Sequence, residues 1–188
     1  ISSLSDTQER LMSSLSLVSG SLSVLGSSMI VYMVINNPRK TPYKRILLGL
    51  SLCDIIASIT FAIQPFLLPS DTSQRVWARG TEASCSFLGF LTQVAFSAIW
   101  YNGMLSYYYL LTVRFGVKTA TFASRFEPGV HILCLGYNLG TAIVGYAMGF
   151  YSEMELGQGC WIAEYPKDCE ATGNCTGATI GWIFGGLR

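Results

Sequence analysis

Charge is what this sequence has least of. Only 12% of its 188 residues are Asp, Glu, Lys or Arg, about half the roughly 25% usual in a soluble domain. It has one histidine and no surplus of either sign, with 12 basic against 11 acidic residues. Without a basic surplus, nucleic acid is excluded as a natural partner, because neutralising phosphates takes concentrated Lys and Arg. A composition of 51% hydrophobic and 13% aromatic residues excludes a self-solvating disordered chain. Nucleophile elbows, phosphate-cradling loops, metal-protease helices and paired carboxylates are also missing. Enzymatic chemistry, a cofactor and a metal centre therefore have no support in these residues.

The charges that exist are segregated. Residues 11–38 and 83–113 carry none, while 46–70 and 128–152 carry only Asp54 and His131. A helix rising 1.5 Å per residue crosses roughly 30 Å of hydrocarbon in about 20 residues. The chain therefore reads as an all-α membrane protein with spans at 11–35, 46–68, 84–113 and 129–151. The third run exceeds the minimum length, which predicts a tilted helix. Residues 178–188 (ATIGWIFGGLR) are too few to span and read as the start of a fifth helix in a fragment of a longer protein. The first run lacks the basic leader of a signal peptide and follows Asp6, Glu9 and Arg10, so it reads as a retained span.

Connecting segments set the expected orientation, because cytoplasmic loops are enriched in Lys and Arg. The loop 36–45 holds Arg39, Lys40, Lys44 and Arg45 with no acid, and 114–128 holds Arg114, Lys118 and Arg125 with Glu127. By contrast 69–83 is balanced, and 152–177 carries five acids and one Lys. The first two loops are expected inside, and the stub 1–10 and the other two loops outside. Cysteines divide the same way. Cys53 and Cys134 lie in spans, while Cys85, Cys160, Cys169 and Cys175 fall at or beyond the outer interface. Four thiols in an oxidising compartment allow three pairings. A Cys85–Cys160 bridge would pin the long outer loop across the bundle and leave Cys169 and Cys175 to close a small loop. Asn174-Cys175-Thr176 fits the glycosylation pattern on that side.

Polar residues within spans are costly and must find partners. Asp54 is the only acid in any span; it reads equally as an ion or switch site and as a structural carboxylate bonded to neighbouring Ser and Asn groups. Ser13, Ser16, Ser19, Gly20, Ser23, Gly26 and Ser27 recur at spacings of three and four, the pattern of close helix packing. Asn102 is a second intramembrane polar candidate. Gln64, Gln93, Trp100 and Trp161 are candidates for lining a cavity open to the outside. The run Tyr107–Tyr109 reads as an aromatic interface belt, and His131 as an interfacial residue.

Taken together, these residues resemble the G-protein-coupled receptor superfamily, especially its secretin-like and cyclic-AMP-receptor-like branches and the receptor-like seven-helix proteins of unicellular algae. The matching stretches are SLVSGSLSVLGSSMIVYMV, RILLGLSLCDIIASI, CSFLGFLTQVAFSAIWYNGMLSYYYLLTVRFG and GCWIAEYPKDC. The resemblance implies a seven-transmembrane helix bundle, here truncated after about four and a half helices. It also implies a Cys85–Cys160 bridge from the third helix to the second outer loop, and makes Asp54 the acid of the second helix's LSLxD pattern. An extracellular ligand would bind among the outer helix ends of a plasma-membrane protein with its N-terminus outside. The inner face, with Arg39, Lys40, Lys44, Arg45, Arg114 and Lys118, would engage a heterotrimeric G protein. Departures exist: the inner end of the third span reads YYYLLTVR where the superfamily carries Asp-Arg-Tyr, and both the secretin-like Glu of the third helix and the usual Trp of the fourth are missing.

Two other function classes compete. A transporter would use Asp54, although no second charged partner and no inverted repeat accompany it. A four-helix scaffold of the tetraspanin or claudin kind would carry cysteine signatures in its large outer loop that this chain lacks.

Overall fold

A computed structural model describes residues 6–70, 77–154 and 159–162. Cys169, Cys175, Asn174 and the expected fifth-helix start at 178–188 lie outside the described residues. Within them the architecture is helical, with four helices long and apolar enough to cross a membrane: Asp6–Ile35, Pro42–Leu67, Glu82–Arg114 and Glu127–Ala147. Lengths and composition of this kind suit a protein associated with a lipid bilayer.

The first span is a single helix, α1 (Asp6–Ile35), which begins five residues before the charge-free run. Its buried positions Ser13, Gly20, Ser27 and Val34 fall seven residues apart, the period of two helices meeting along a shallow left-handed seam. The partner is α2 (Pro42–Leu67). Close approach is needed there. A Cβ on Gly20 would sit 2.9 Å from both the Ala62 Cβ and the Ser58 carbonyl oxygen. Ser19 and Gly26, read from sequence as part of the packing face, are exposed instead. The seam follows the sevenfold repeat, and these two positions fall outside it.

The third span runs as one helical segment over Glu82–Arg114, in keeping with the helix expected over 84–113, with a local irregularity at Phe96. It consists of α3 (Glu82–Ala95) and α4 (Ser97–Tyr109), interrupted at Phe96, and ends in a π-helical turn over Leu110–Arg114. At the interruption the Ile99 N–H donates to the Phe96 carbonyl at 3.0 Å, a turn one residue tighter than the α-helix around it.

The fourth span is shorter than the expected 129–151. After a small helix α5 (Thr119–Arg125) come α6 (Glu127–His131), a π-helical turn (Ile132–Gly136) and α7 (Tyr137–Ala147). Gly149, at φ +69°, turns the chain out of the helix into β1 (Tyr151–Glu153). β1 pairs antiparallel with β2 (Cys160–Ile162), in the register Tyr151 to Ile162 and Glu153 to Cys160.

Two apolar clusters hold these elements. One joins Ile46, Cys53, Tyr101, Tyr108, Phe122, Val130 and Cys134 of α2, α4, α5 and the fourth span. The other gathers Leu68, Cys85, Leu88 and Cys160 beneath the hairpin. Tyr108 is thus a core residue meeting Phe122 edge-on at 4.8 Å, whereas Tyr107 and Tyr109 are exposed. The three tyrosines therefore do not form the single interface belt expected of them.

Candidate functional site

Helix α3 starts on a reciprocal cap. The Thr81 hydroxyl accepts from the Ser84 N–H at 3.3 Å, and the Ser84 hydroxyl accepts from the Thr81 N–H at 2.8 Å. This fixes Cys85 in the first turn, facing β2, and Cys85 is disulfide-bonded to Cys160 across a Cα–Cα distance of 5.2 Å. Of the three pairings left open by the cysteine positions, the one implied by the resemblance is formed.

Two side chains seat the hairpin on the bundle. The Tyr151 side chain lies between Gly89 of α3 and Gly145 of α7, where a Cβ would come within 2.6 Å of its ring and 2.7 Å of its hydroxyl respectively. Its hydroxyl donates to the Ala142 carbonyl at 3.3 Å. Burial pushes the phenol up to about 12, so it remains a protonated donor throughout the physiological range. From β2, Trp161 packs on Phe96 with ring centroids 4.9 Å apart and donates its indole N–H to Gln93 at 2.9 Å. The Gln93 amide in turn donates to Thr141 of α7 at 3.0 Å. The break in the third span thus coincides with the contact from β2, and one amide links hairpin, third span and fourth span.

Between the hairpin and the helices lies a cavity of about 260 Å³, bordered by Gln64 and Pro65 of α2, Thr92 and Phe96 of the third span, and Met154 and Trp161. Three of the four cavity candidates meet here, with Gln64 and Trp161 in the wall and Gln93 bonded to Trp161. The fourth does not. Trp100 is 40% exposed and packs against Tyr137 on the outer surface of the bundle. Thr92 was not singled out from sequence, because an uncharged residue inside an apolar run carries no signal of burial. It is 5% exposed, and its hydroxyl has no hydrogen-bond partner among the described residues. A second cleft, of about 360 Å³, borders Glu82, Ser86, Tyr151 and Glu153.

Asp54 sits in the α1–α2 seam. One carboxylate oxygen accepts from Ser27 at 2.6 Å and from Ser23 at 3.5 Å, and Ser58 donates to Ser23 at 2.7 Å. Serines of the small-residue face therefore supply the partners that an intramembrane carboxylate requires. Asn102 is elsewhere, exposed on α4.

The other end of the bundle holds a polar network that sequence reading missed. Arg45, in the first turn of α2, forms a two-pronged ion pair with the buried Glu127 carboxylate, its Nη2 donating at 2.6 Å and its Nε closing the fork. Arg45 also donates to the Lys40 carbonyl at 3.0 Å. Glu127 lies 3.8 Å from His131 Nε2, and His131 Nδ1 is 2.8 Å from the Tyr101 hydroxyl. The second, third and fourth spans are joined here. Arg45, expected to face a cytoplasmic partner, is instead engaged within the bundle, and His131, expected at the interface, is a link in this network. Lys40 turns back on the Ile35 carbonyl at the end of α1, 3.3 Å away. Arg39, Arg114 and Lys118 are exposed, with the Arg114 guanidinium 6.0 Å from the Phe115 ring centroid, and Lys44 is half-buried. Glu127 carried one signal, being the lone acid of a basic loop directly before Pro128.

Compared with models of known protein families, the sequence gives no match, and no curated protein matches it.

Proposed function

We propose that this chain belongs to a cell-surface receptor of the G-protein-coupled kind, with its N-terminus outside. A ligand would enter at the disulfide end and change the opposite, basic end, where a heterotrimeric G protein would bind. The observation that carries this reading is the cavity between the helices and the disulfide-tethered hairpin, with Trp161 linking it to Gln93 and to the break at Phe96. A ligand that fits one arrangement of that break better than another shifts the balance between them by its differential affinity, and the third span carries the shift to the other end. Exposed Arg39, Arg114 and Lys118 supply the basic surface for a partner. Asp54 gives little support to the transporter reading, because its carboxylate is hydrogen-bonded within a helix seam.

The test is guanine-nucleotide exchange on co-expressed heterotrimeric G proteins in membranes containing the full-length protein, with and without extracts fractionated for ligands. Stimulated exchange in at least one G-protein class is expected. Its absence across all classes, together with a proton- or voltage-driven current that Asp54→Asn abolishes, overturns the reading in favour of transport.

A further inference from the structure

We infer that His131 is a proton-operated link at the basic end of the bundle: neutral, it ties the fourth span to the third through Tyr101; protonated, it releases Tyr101 and turns to Glu127. This holds whatever partner that end binds. The chain has a single histidine, and histidine is the side chain whose ordinary titration falls between about pH 5 and 8. Its ring sits between two groups of opposite demand. Nδ1 lies 2.8 Å from the Tyr101 hydroxyl of α4, and Nε2 lies 3.8 Å from the Glu127 carboxylate one turn earlier in the fourth span.

Counting donors decides which partner each form suits. In the neutral ring one nitrogen donates and the other accepts. With the proton on Nε2, that N–H faces the carboxylate while Nδ1 accepts from the phenol, so both contacts are matched. In the imidazolium both nitrogens donate. Tyr101 must then accept, and its own proton needs a new acceptor. The residue is 1% exposed, and His131 is the one hydrogen-bond partner of its hydroxyl among the described residues. The ring packs on Gly49, where a Cβ would come within 2.7 Å of it, so α2 offers no side chain there to take the proton. A buried donor left unpaired is costly. The imidazolium gains at Glu127 instead, and its side chain, 33% exposed, is within reach of protons and has room to turn.

The groups packed around the imidazole hold their charge over the histidine range. From α2 come Arg45, which meets the same Glu127 carboxylate, and Cys53, buried in the cluster around Tyr101; the fourth span adds Cys134 to that cluster. Guanidinium, carboxylate, thiol and phenol all keep their ordinary charge between about pH 5.5 and 7.5. From α5 come the rings of Phe122 and Phe126, and its Arg125 is exposed. Lys44, half-buried in the first turn of α2, forms no ion pair among the described residues. The Tyr101 tether is therefore whole on the alkaline side of the histidine range and lost as pH falls through it, while the Glu127 contact changes in the opposite sense. Overall stability mixes the two changes, so the readouts must be local.

The test uses the full-length protein in lipid nanodiscs with isotope-labelled histidine observed by nitrogen NMR, the His131 signals being assigned by their loss in His131→Asn. At about pH 7.5 Nδ1 should be bare and Nε2 protonated, and at about pH 5.5 both should be protonated. Over the same change amide exchange in α4 around Tyr101, corrected for its intrinsic dependence on pH, should rise about fivefold, the effect of losing one net hydrogen bond. Exchange in α3 and the hairpin should not change. Tyr101→Phe should exchange fast in α4 at both pH values. His131→Asn, whose amide oxygen stands near the Nδ1 position and does not titrate, should exchange slowly at both.

Any of four results overturns the assignment: Nδ1 carrying the proton at about pH 7.5, α4 exchange that ignores pH, a wild-type pH response in Tyr101→Phe, or the same response in His131→Asn. Wild-type protection of α3 and the hairpin identifies variants that have folded. Were Tyr101→Phe to fail that check, the nitrogen spectra of the wild type and the exchange of His131→Asn would still decide.

Discussion

The two ends of the bundle are fastened by different chemistry. At one end a covalent Cys85–Cys160 bond, a seated tyrosine ring and a tryptophan–glutamine hydrogen bond hold a hairpin against the third and fourth spans. At the other a carboxylate, a guanidinium, an imidazole and a phenol tie the second, third and fourth spans together. The first fastening ignores salt and yields to reductant; the second ignores reductant and weakens when its charges are screened or removed. Reductant acts on the first and salt on the second, so the two fastenings can be loosened one at a time and any coupling between them through the third span can be measured.

The largest effect is expected from breaking the disulfide. In the double variant Cys85→Ser, Cys160→Ser the hairpin is released from α3, at a cost of about 2–4 kcal/mol by the soluble-protein range. Thermal unfolding in nanodiscs should shift down to the value wild type shows in reductant. Hydrogen exchange should rise in β1, β2 and the first turn of α3 while α6 keeps its protection. Equal loss of protection around Glu127 would show that the ends are not independent.

Next comes Glu127→Ala. The Arg45 side chain is 40% exposed and can regain solvent, so the cost falls to about 1–2 kcal/mol, below the 3–5 kcal/mol of a fully buried pair. Glu127→Gln, which keeps a hydrogen-bonding shape, should cost less. Combined with the disulfide variant, the two losses should add to within about 0.5 kcal/mol. Coupling well beyond that would mean that the third span transmits strain between the ends even without ligand.

Gly145→Ala tests how tightly the hairpin is seated, since the new Cβ would meet the Tyr151 hydroxyl at 2.7 Å. Overpacking of this kind costs about 1–3 kcal/mol, and the low end is expected because a ring edge has some room to move. Tyr151→Phe in the same chain should restore only part of the loss, because the ring carbon that carries the hydroxyl would still lie 2.9 Å from the new Cβ. A Gly145→Ala variant of unchanged melting temperature would show that the hairpin sits loosely.

Much of the scaffold was legible in the sequence because a bilayer imposes a coarse rule. Stretches with at most one titratable residue mark the four spans, and the spacing of small residues marked most of the α1 face that meets α2. Asp54 was readable as a residue in need of partners, and Ser27 turned out to be the nearest. What escaped was long-range or local. Glu127 and Arg45 are 82 positions apart and looked like loop charges, since nothing in either neighbourhood shows that they meet. Phe122 and Tyr108 pack together although one sat in an expected loop and the other in an expected belt. The break at Phe96 leaves no composition signal, because its residues are as apolar as those of an unbroken span. Trp100 misled for a related reason: a tryptophan in a span faces lipid as readily as a cavity.

The smallest effect belongs to the seam between α1 and α2, which lies outside both fastenings. Hydrogen bonds between membrane helices average about 0.6 kcal/mol, because chains unfolded within a bilayer also find partners. Ser27→Ala should therefore cost about 0.6 kcal/mol, with Ser23, now 3.5 Å from the carboxylate, moving in to replace it. Asp54→Asn should cost about as much, since an amide oxygen still accepts from Ser27. In both variants the protection of β1, β2 and α6 should be unchanged. A loss of several kcal/mol from Asp54→Asn would instead mean that its charge is held against something other than the serines, and would return Asp54 to the list of switch residues.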